Sequence, residues 1–397
     1  MTWRPLVLAM TLSALPACGD PSPEPILRYT VPEETPADEQ GSDSTDRIPA
    51  PSWVTVAPSD ARLQYLGRVE LSSTSAVFSH PGVSIKLHFK GDALELLLKD
   101  QGHGGETGTN YYQVTIDGQA PVKLAVSPSQ TVYGIGQDLV LGEHTVEVLK
   151  LTESYVGPSE LQGFRLHGQL LEPPTRPALR LEFIGDSITC GYGNEVAITQ
   201  ADNPTTGFHS VNENITKAYG SLTARNLGAE AQMVCYSGRG LYRNNTGSTT
   251  GTLPQLYDSV LPDQPLSHWS FARYTPDIVV INLGTNDFAP GVPDAARFTA
   301  AYQDFVTRLR GYYPQARIIC TTSPMLSDWY PSGQNQMSTI RSWVSSVVKD
   351  FNDQGDARVH YLAFAPQSEP YGEDWHPSLS TSQSMATSLA DFIRALK

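Results

Sequence analysis

Two patterns of hydrophobic and polar positions divide the chain near residue 175. Between residues 61 and 175 apolar and polar side chains alternate in short runs, as in 83–89, 111–116 and 142–149. A period of two predicts β-strands with one buried face, and many such strands without a helical period predict a β-sandwich. Asp117-Gly118, between two of these runs, predicts a tight hairpin because its turn requires positive φ angles.

From residue 176 onward, near-continuous apolar runs alternate with amphipathic segments. The runs predict strands buried on both faces, and the segments, with apolar residues spaced by three and four, predict helices. Together they predict a parallel sheet covered by helices on both sides. The strands are expected at 180–184, 232–236, 277–283, 317–321 and 359–363, and the helices within 215–227 (ending at Gly228), 298–309, 337–351 and 385–396.

The first 60 residues are expected to lie outside both folded units. Residues 1–18 combine an early arginine, a short apolar run and Leu15-Pro16-Ala17-Cys18, which resembles the bacterial lipoprotein box with a lipidated cysteine. The alternative is an ordinary signal peptide in which Cys18 occurs by chance. Residues 19–60 are rich in Pro, Ser, Asp and Glu and predict a disordered acidic linker. We therefore expect an exported protein, either secreted or lipid-anchored to the cell envelope.

The composition is that of an acidic globular protein. The 397 residues include 27 Lys and Arg against 41 Asp and Glu, a formal net charge of −14. This charge disfavours nucleic-acid binding and direct docking on an anionic membrane. Besides Cys18 there are three cysteines, so at least one thiol is unpaired. A Cys190–Cys235 bridge is conceivable, Cys320 lies in an apolar run, and no cysteine spacing suggests a metal site.

Four polar segments follow predicted strands or precede the last helix. They contain Ser187, Gly238, Asn286 and the Asp374-Trp375-His376 run. Loops beyond the carboxyl ends of parallel strands meet at one edge of a sheet, so these groups are expected to converge. Each segment alone is also common in turns, caps and surface loops. Their joint occurrence, each at the right element end, predicts one site.

The predicted site suits acyl transfer. A serine hydroxyl such as that of Ser187 needs a base, and His376 is the side chain with a suitable pKa. An acid beside that histidine, Asp374, would fix its tautomer and stabilise the imidazolium. The main-chain amides of Ser187 and Gly238 and the side chain of Asn286 would then stabilise the oxyanion.

In that order, Ser187, Gly238, Asn286 and His376 resemble the SGNH (GDSL-type) hydrolases. The chain is also similar to carbohydrate esterase family 2, because a predicted β-sandwich is followed by the runs 182–194, 236–240 and 374–377. This resemblance covers about residues 62–397. It implies a flavodoxin-like α/β/α domain at 176–397 after a jelly-roll type β-sandwich at 61–175. It also implies a serine esterase that deacetylates xylan or mannan, with no metal or cofactor.

The acid is the least secure part of this assignment. Many SGNH enzymes place it three residues before the histidine, at Glu373 here, whereas the family 2 resemblance implies the position of Asp374 or a main-chain carbonyl. We assign the role to Asp374. The resemblance favours Trp375 as a sugar-stacking platform, although a core tryptophan that fixes the loop is the alternative. Trp329 and Tyr330 are weaker candidates for the platform.

Two other functions remain open at this stage. One is a different SGNH esterase, such as a lipase, a thioesterase or a peptidoglycan O-acetylesterase, because a scaffold alone does not set the substrate. The other is a surface lipoprotein that binds polysaccharide without catalysis, and Tyr111, Tyr112 and Tyr133 could then be a binding platform or simply core. The Gly-, Asn- and Tyr-rich loops suit sugars better than long acyl chains. We expect a monomer that takes acetylated polysaccharide or oligosaccharide.

Overall fold

A computed structural model describes residues 26–27, 52–264 and 266–396. The predicted signal peptide and the predicted lipidation site, Cys18, lie outside these residues, as does most of the predicted linker. Within the described ranges, no helix is both long enough and apolar enough to cross a membrane. An all-β unit is followed by an α/β unit, so the predicted fold class and the order of the two units are confirmed.

The all-β unit is built around two long antiparallel strands, β6 and β11. Residues 84–91 of β6 pair with β10, and residues 89–100 pair with β11, so one strand joins two parts of the sheet. The strands are β1 (Ile26–Leu27), β2 (Trp53–Val56), β3 (Gln64–Leu66), β4 (Glu70–Leu71), β5 (Ala76–Phe78), β6 (Ser84–Asp100), β7 (Tyr111–Ile116), β8 (Val122–Ala125), β9 (Val132–Gly136), β10 (Gly142–Lys150) and β11 (Ser159–Leu170), with the short helix α1 (Gly105–Gly108).

The alternating side chains of these strands form one apolar core. Tyr112 and Tyr133 are 0% and 1% exposed within it, so these two rings are core residues and not a glycan platform. The predicted hairpin is confirmed, because Asp117 and Gly118 have φ angles of 52° and 66° and join the antiparallel strands β7 and β8.

The predicted linker extends too far. Strand β2 lies within residues 19–60, pairs with β11, and buries Val56 opposite Phe164. Only four residues, Trp53–Val56, form this strand, and they follow a long polar, Pro-rich segment. A run so short is masked by its surroundings when the sequence is read alone.

The α/β unit is a five-stranded parallel sheet in the order β13-β12-β14-β15-β16. This is the flavodoxin-like order, in which the strand order reverses between β12 and β14. The strands are β12 (Arg180–Gly185), β13 (Glu230–Cys235), β14 (Ile278–Asn282), β15 (Arg317–Thr322) and β16 (Val359–Ala363), and the helices are α2 (Ser187–Cys190), α3 (Tyr219–Leu227), α4 (Leu253–Leu256), α5 (Thr285–Phe288), α6 (Ala295–Tyr312), α7 (Gln336–Asp353) and α8 (Leu379–Ala395).

Helices cover both faces of this sheet, as the apolar strands predict. On one face α6 and α7 pack against strand residues such as Ile281 and Cys320, and on the other α3 and α8 pack against residues such as Phe183. Gly228 ends α3 in the left-handed conformation, with φ of 61°. The carboxyl ends of β12, β13 and β14 therefore share one edge, where the predicted site lies.

Buried polar contacts join the two units. The Arg68 guanidinium of the all-β unit lies 3.3 Å from the Glu182 carboxylate on β12, and neither side chain is exposed to solvent. The same guanidinium stacks over the Tyr257 ring at 4.6 Å. Because an unpaired buried charge is strongly destabilising, this pair fixes the orientation of one unit on the other. A loop of the all-β unit, residues 151–157, also contacts the α/β unit, since the Glu153 amide donates a hydrogen bond to the Glu213 carboxyl group at 2.9 Å.

Candidate active site

The nucleophile candidate Ser187 is the first residue of the one-turn helix α2, after a tight turn at the end of β12. Asp186 caps this helix, with its side chain accepting a hydrogen bond from the Ile188 amide at 3.1 Å. Gly185 is needed before the turn, because a Cβ atom there would overlap Thr189 Oγ1. Ser187 is 8% exposed and faces a cavity of about 510 Å³.

A disulfide fixes this turn to the neighbouring strand. Cys190, the last residue of α2, is bonded to Cys235, the last residue of β13, with a Cα–Cα distance of 5.6 Å. Two residues after Cys235 the loop that contains Gly238 begins. The bridge that the sequence left open therefore links the serine turn to the predicted oxyanion loop, and Cys320 is a free, buried thiol.

His376 lies directly beside the serine. Its Nε2 atom is 2.7 Å from Ser187 Oγ, and its ring stacks on Tyr192 at a centroid distance of 4.1 Å. It follows a single 3-10 turn, Glu373–Trp375, in which Asp374 and Trp375 have positive φ angles of 47° and 65°. This turn brings the imidazole back to the carboxyl edge of the sheet.

The prediction that the Asp374 carboxylate contacts the imidazole is wrong. The Nδ1 atom of His376 donates instead to the main-chain carbonyl oxygen of Glu373 at 2.9 Å. The Asp374 carboxylate accepts hydrogen bonds from Tyr192 Oη at 2.6 Å and from the amides of Thr206 and Gly207. The left-handed backbone of Asp374 turns its side chain toward these donors.

Glu373, the acid at the other position, is also directed elsewhere. Its buried carboxylate contacts the His209 ring and the Asn212 amide, each at 2.7 Å. The imidazole is therefore oriented by a main-chain carbonyl, the third alternative that the family resemblance left open.

Burial keeps the imidazole neutral. The low-polarity surroundings lower the pKa of His376 to about 4, and the Glu373 carbonyl and the Asp374 charge only partly oppose this effect. With Nδ1 donating its proton to a carbonyl, Nε2 carries the lone pair that faces Ser187. The pair is thus set up for proton transfer from the hydroxyl to Nε2.

The three predicted oxyanion donors line the same cavity. Gly238 has a φ of 75°, and a Cβ atom there would come within 3.2 Å of the Asn245 side chain. Asn286 lies on α5, and its Nδ2 atom donates to Asp186 Oδ2 at 3.2 Å and to the Arg239 carbonyl at 3.0 Å. The buried Asp287 carboxylate accepts three amide hydrogen bonds from residues 241–243, which fixes the loop that follows Gly238.

Both halves of this molecule match described families. The model of the carbohydrate esterase 2 N-terminal domain matches residues 65–174, and that of the GDSL-like lipase/acylhydrolase family matches residues 183–383. An acetylxylan esterase/glucomannan deacetylase of Cellvibrio japonicus is 30% identical over 348 residues, which cover 86% of this chain and 91% of that protein. This chain belongs to carbohydrate esterase family 2. The resemblance found in the sequence is confirmed.

Two further relatives extend the comparison. A solved family two carbohydrate esterase from Clostridium thermocellum, in complex with cellohexaose, is 35% identical with a TM-score of 0.75, and the match covers 84% of this chain and 98% of that one. Cellulase/esterase CelE of Acetivibrio thermocellus is 36% identical over 334 residues. That match covers 83% of this chain and 39% of CelE, so this family 2 esterase corresponds to part of that longer protein.

The predicted aromatic platform does not line the cavity of this family 2 esterase. The Trp375 indole donates to Thr205 Oγ1 at 3.2 Å and its ring packs against Tyr371. Trp329 and Tyr330 are 90% and 80% exposed, and neither is part of the cavity wall. The indole of Trp375 thus fixes its own loop, as the alternative interpretation has it.

Several wall residues were not predicted. The aromatic ones are Tyr155, Tyr192 and Phe208. Glu153 and Tyr155 come from the all-β unit, so both units form the site. No sequence signal places these loops beside the serine. The remaining unpredicted wall residues are Ser237, Asn245, Thr285, Ala289 and Met325.

Proposed function

We propose that this chain is a serine esterase that removes O-acetyl groups from acetylated polysaccharides such as xylan and glucomannan. The observation that carries the proposal is the 2.7 Å contact between Ser187 Oγ and His376 Nε2 at the wall of a cavity shared by both units. The names of the Cellvibrio relatives support the acetyl-polysaccharide substrate.

The reaction proceeds through an acetyl-enzyme. Ser187 Oγ attacks the acetyl carbonyl carbon while His376 Nε2 takes its proton, and the resulting imidazolium donates that proton to the sugar oxygen as it leaves. Water then repeats the sequence with His376 as base, which releases acetate and restores the serine hydroxyl. The Glu373 carbonyl holds the ring tautomer throughout.

The oxyanion is stabilised by the amides of Ser187 and Gly238 and by Asn286. Both hydrogens of Asn286 Nδ2 have acceptors in the structure, Asp186 and the Arg239 carbonyl. Donation to an oxyanion therefore requires this amide to share or exchange one of them.

The deciding experiment compares acetate release from acetylated xylan and acetylated glucomannan by the wild type and by Ser187→Ala. We expect release by the wild type and a loss of roughly 10⁴-fold or more in the variant, with the thermal unfolding midpoint unchanged. Release from neither polymer, combined with fluorophosphonate labelling of Ser187, would identify a serine hydrolase with another substrate. Substantial activity of folded Ser187→Ala would refute the assignment of the nucleophile.

We also propose that the chain is exported and anchored through lipid on Cys18. Support comes from the sequence of residues 1–18 and from the polymeric substrate, which lies outside the cell. Incorporation of a radiolabelled fatty acid into the full chain, and its loss in Cys18→Ser, would test the anchor. We expect the protein to act as a monomer.

A further inference from the structure

A buried carboxylate of the all-β unit contacts the loop that precedes Gly238. Glu153 follows β10, is 1% exposed, and lies across the interface from the α/β unit. Its Oε2 atom accepts a hydrogen bond from the Ser237 amide at 2.7 Å, and its Oε1 atom accepts one from the Ser237 hydroxyl. Both oxygens of this carboxylate are therefore used to hold one residue of the oxyanion loop.

A second buried acid supports Glu153 from behind. Glu213, in the α/β unit and fully buried, accepts a hydrogen bond from the Glu153 amide at 2.9 Å. Oxygen atoms of the two carboxyl groups lie within 4.8 Å of each other. The Cys190 sulfur also lies within 4.8 Å of both carboxyl groups. It is part of the disulfide, however, so it offers no thiolate to a metal ion.

The two acids differ in their surroundings. Burial raises the pKa of both acids, and it raises that of Glu213 well above its usual value because Glu213 also faces Glu153. The two hydrogen bonds that Glu153 accepts from Ser237 lower its pKa and so oppose the effect of burial. The buried Lys150 ammonium, which contacts the main-chain carbonyls of Thr152 and Glu153, lowers the pKa of both acids.

The contact matters for catalysis because Ser237 precedes Gly238 directly. The Gly238 amide is part of the Ser237–Gly238 peptide, and its direction is fixed by the backbone of Ser237. On the other side, the Gly238 carbonyl accepts a hydrogen bond from the Asn245 amide at 3.0 Å. Fixed donors stabilise a transition state far better than donors that must reorient.

Taking the proposed esterase activity as given, we propose that Glu153 is a positioning residue that orients the Gly238 amide through Ser237. The all-β unit thereby contributes to catalysis as well as to the shape of the cavity. A misplaced oxyanion donor lowers the rate of the chemical step and leaves ground-state binding little changed. We therefore expect Glu153→Ala to lower kcat about 10- to 100-fold on nitrophenyl acetate with KM within about threefold of the wild type.

The matched variants separate positioning from general loosening of the interface. Glu153→Gln retains an acceptor for the Ser237 amide, so we expect it to recover most of the kcat that Glu153→Ala loses. Glu195→Gln is the control, because Glu195 also joins the two units, through Lys123, but does not contact the oxyanion loop. We expect its kcat to remain within about twofold of the wild type, with thermal unfolding measured for all three variants.

The rate of Ser187 labelling by a fluorophosphonate makes the test independent of the natural substrate. The phosphoryl oxygen of this probe occupies the oxyanion site. The labelling rate of Glu153→Ala should therefore fall by about the same factor as its kcat. If the wild type labels rapidly but releases no acetate from polysaccharides, the proposed function fails while the role of Glu153 is still measured. Folded Glu153→Ala with wild-type kcat and labelling, a loss confined to KM, or an equal loss in Glu195→Gln would each overturn the inference.

Discussion

The main-chain carbonyl oxygen of Glu373 accepts the Nδ1 proton of His376 at 2.9 Å, at the position that a carboxylate occupies in a Ser-His-Asp triad. A carbonyl fixes the ring tautomer as a carboxylate does, but it carries only a partial charge. The imidazolium of the transition state is therefore stabilised less by its Nδ1 partner here. Asp374 adds its charge from nearby and raises the pKa of His376 without bonding to the ring.

This arrangement predicts a modest effect of removing the Asp374 side chain. Asp374→Ala should lower kcat by roughly 10-fold, compared with about 10⁴-fold for a triad aspartate, because the Nδ1 proton keeps its acceptor. Steady-state kinetics on nitrophenyl acetate would measure this. Tyr192→Phe, which removes one donor to the same carboxylate, is the control for local rearrangement. A loss of 10³-fold or more in folded Asp374→Ala would show that this carboxylate acts directly on the ring.

The low pKa of His376 predicts an acid limb in the pH-rate profile. Burial lowers the pKa to about 4, so the imidazole is a neutral base above this pH and a cation without a free Nε2 lone pair below it. We expect kcat/KM to fall as the pH decreases through about 4. Asp374→Asn removes a negative charge that favours the cation, so its acid limb should shift to lower pH. An upward shift would contradict the electrostatic role given to Asp374.

The parallel-sheet unit could be predicted from the sequence because its signals are long and regular. Helix α6 carries five apolar residues on one face, and the strands that end at Gly185 and Asn282 consist mostly of apolar residues. Ser187 and Asn286 could be placed together because strand ends of a parallel sheet share one edge. Strand β2 was missed because four residues carry too little periodicity.

Finer features of the site depend on tertiary contacts that leave no local pattern. The direction of the Asp374 side chain follows from a left-handed backbone that non-glycine residues adopt only when their surroundings require it. The same turn directs the Trp375 indole to Thr205 and away from the cavity. Glu153 belongs to a different unit from Ser237, and no spacing in the sequence links the two.

We expect loss of the disulfide to affect the active site as well as the stability of the domain. Cys190–Cys235 closes a loop of 45 residues, for which a stabilisation of about 2–4 kcal/mol is typical. We expect Cys190→Ala/Cys235→Ala to unfold at a lower temperature and to have a lower kcat at 25 °C, because both ends of the bridge adjoin catalytic loops. Cys320→Ala, which alters a buried free thiol on β15, is the control for loss of core packing. Equal kcat values in the double variant and the wild type would show that the bridge serves stability alone.

Through Tyr155, we expect the all-β unit to affect the choice of substrate. Its ring is 55% exposed, lines the catalytic cavity and meets Phe208 edge-on at 6.1 Å, so one face remains open to a sugar ring. Loss of one aromatic contact costs about 1 kcal/mol, which corresponds to roughly a fivefold change in binding. Tyr155→Ala should therefore raise KM for acetylated xylan about fivefold and leave kcat/KM for nitrophenyl acetate unchanged, because this small ester has no sugar ring to pack on the tyrosine. Trp329→Ala is the matched control, since Trp329 is more exposed but lies outside the cavity wall. An increase in KM for the polymer in Trp329→Ala, but not in Tyr155→Ala, would instead assign polysaccharide binding to the loop after β15.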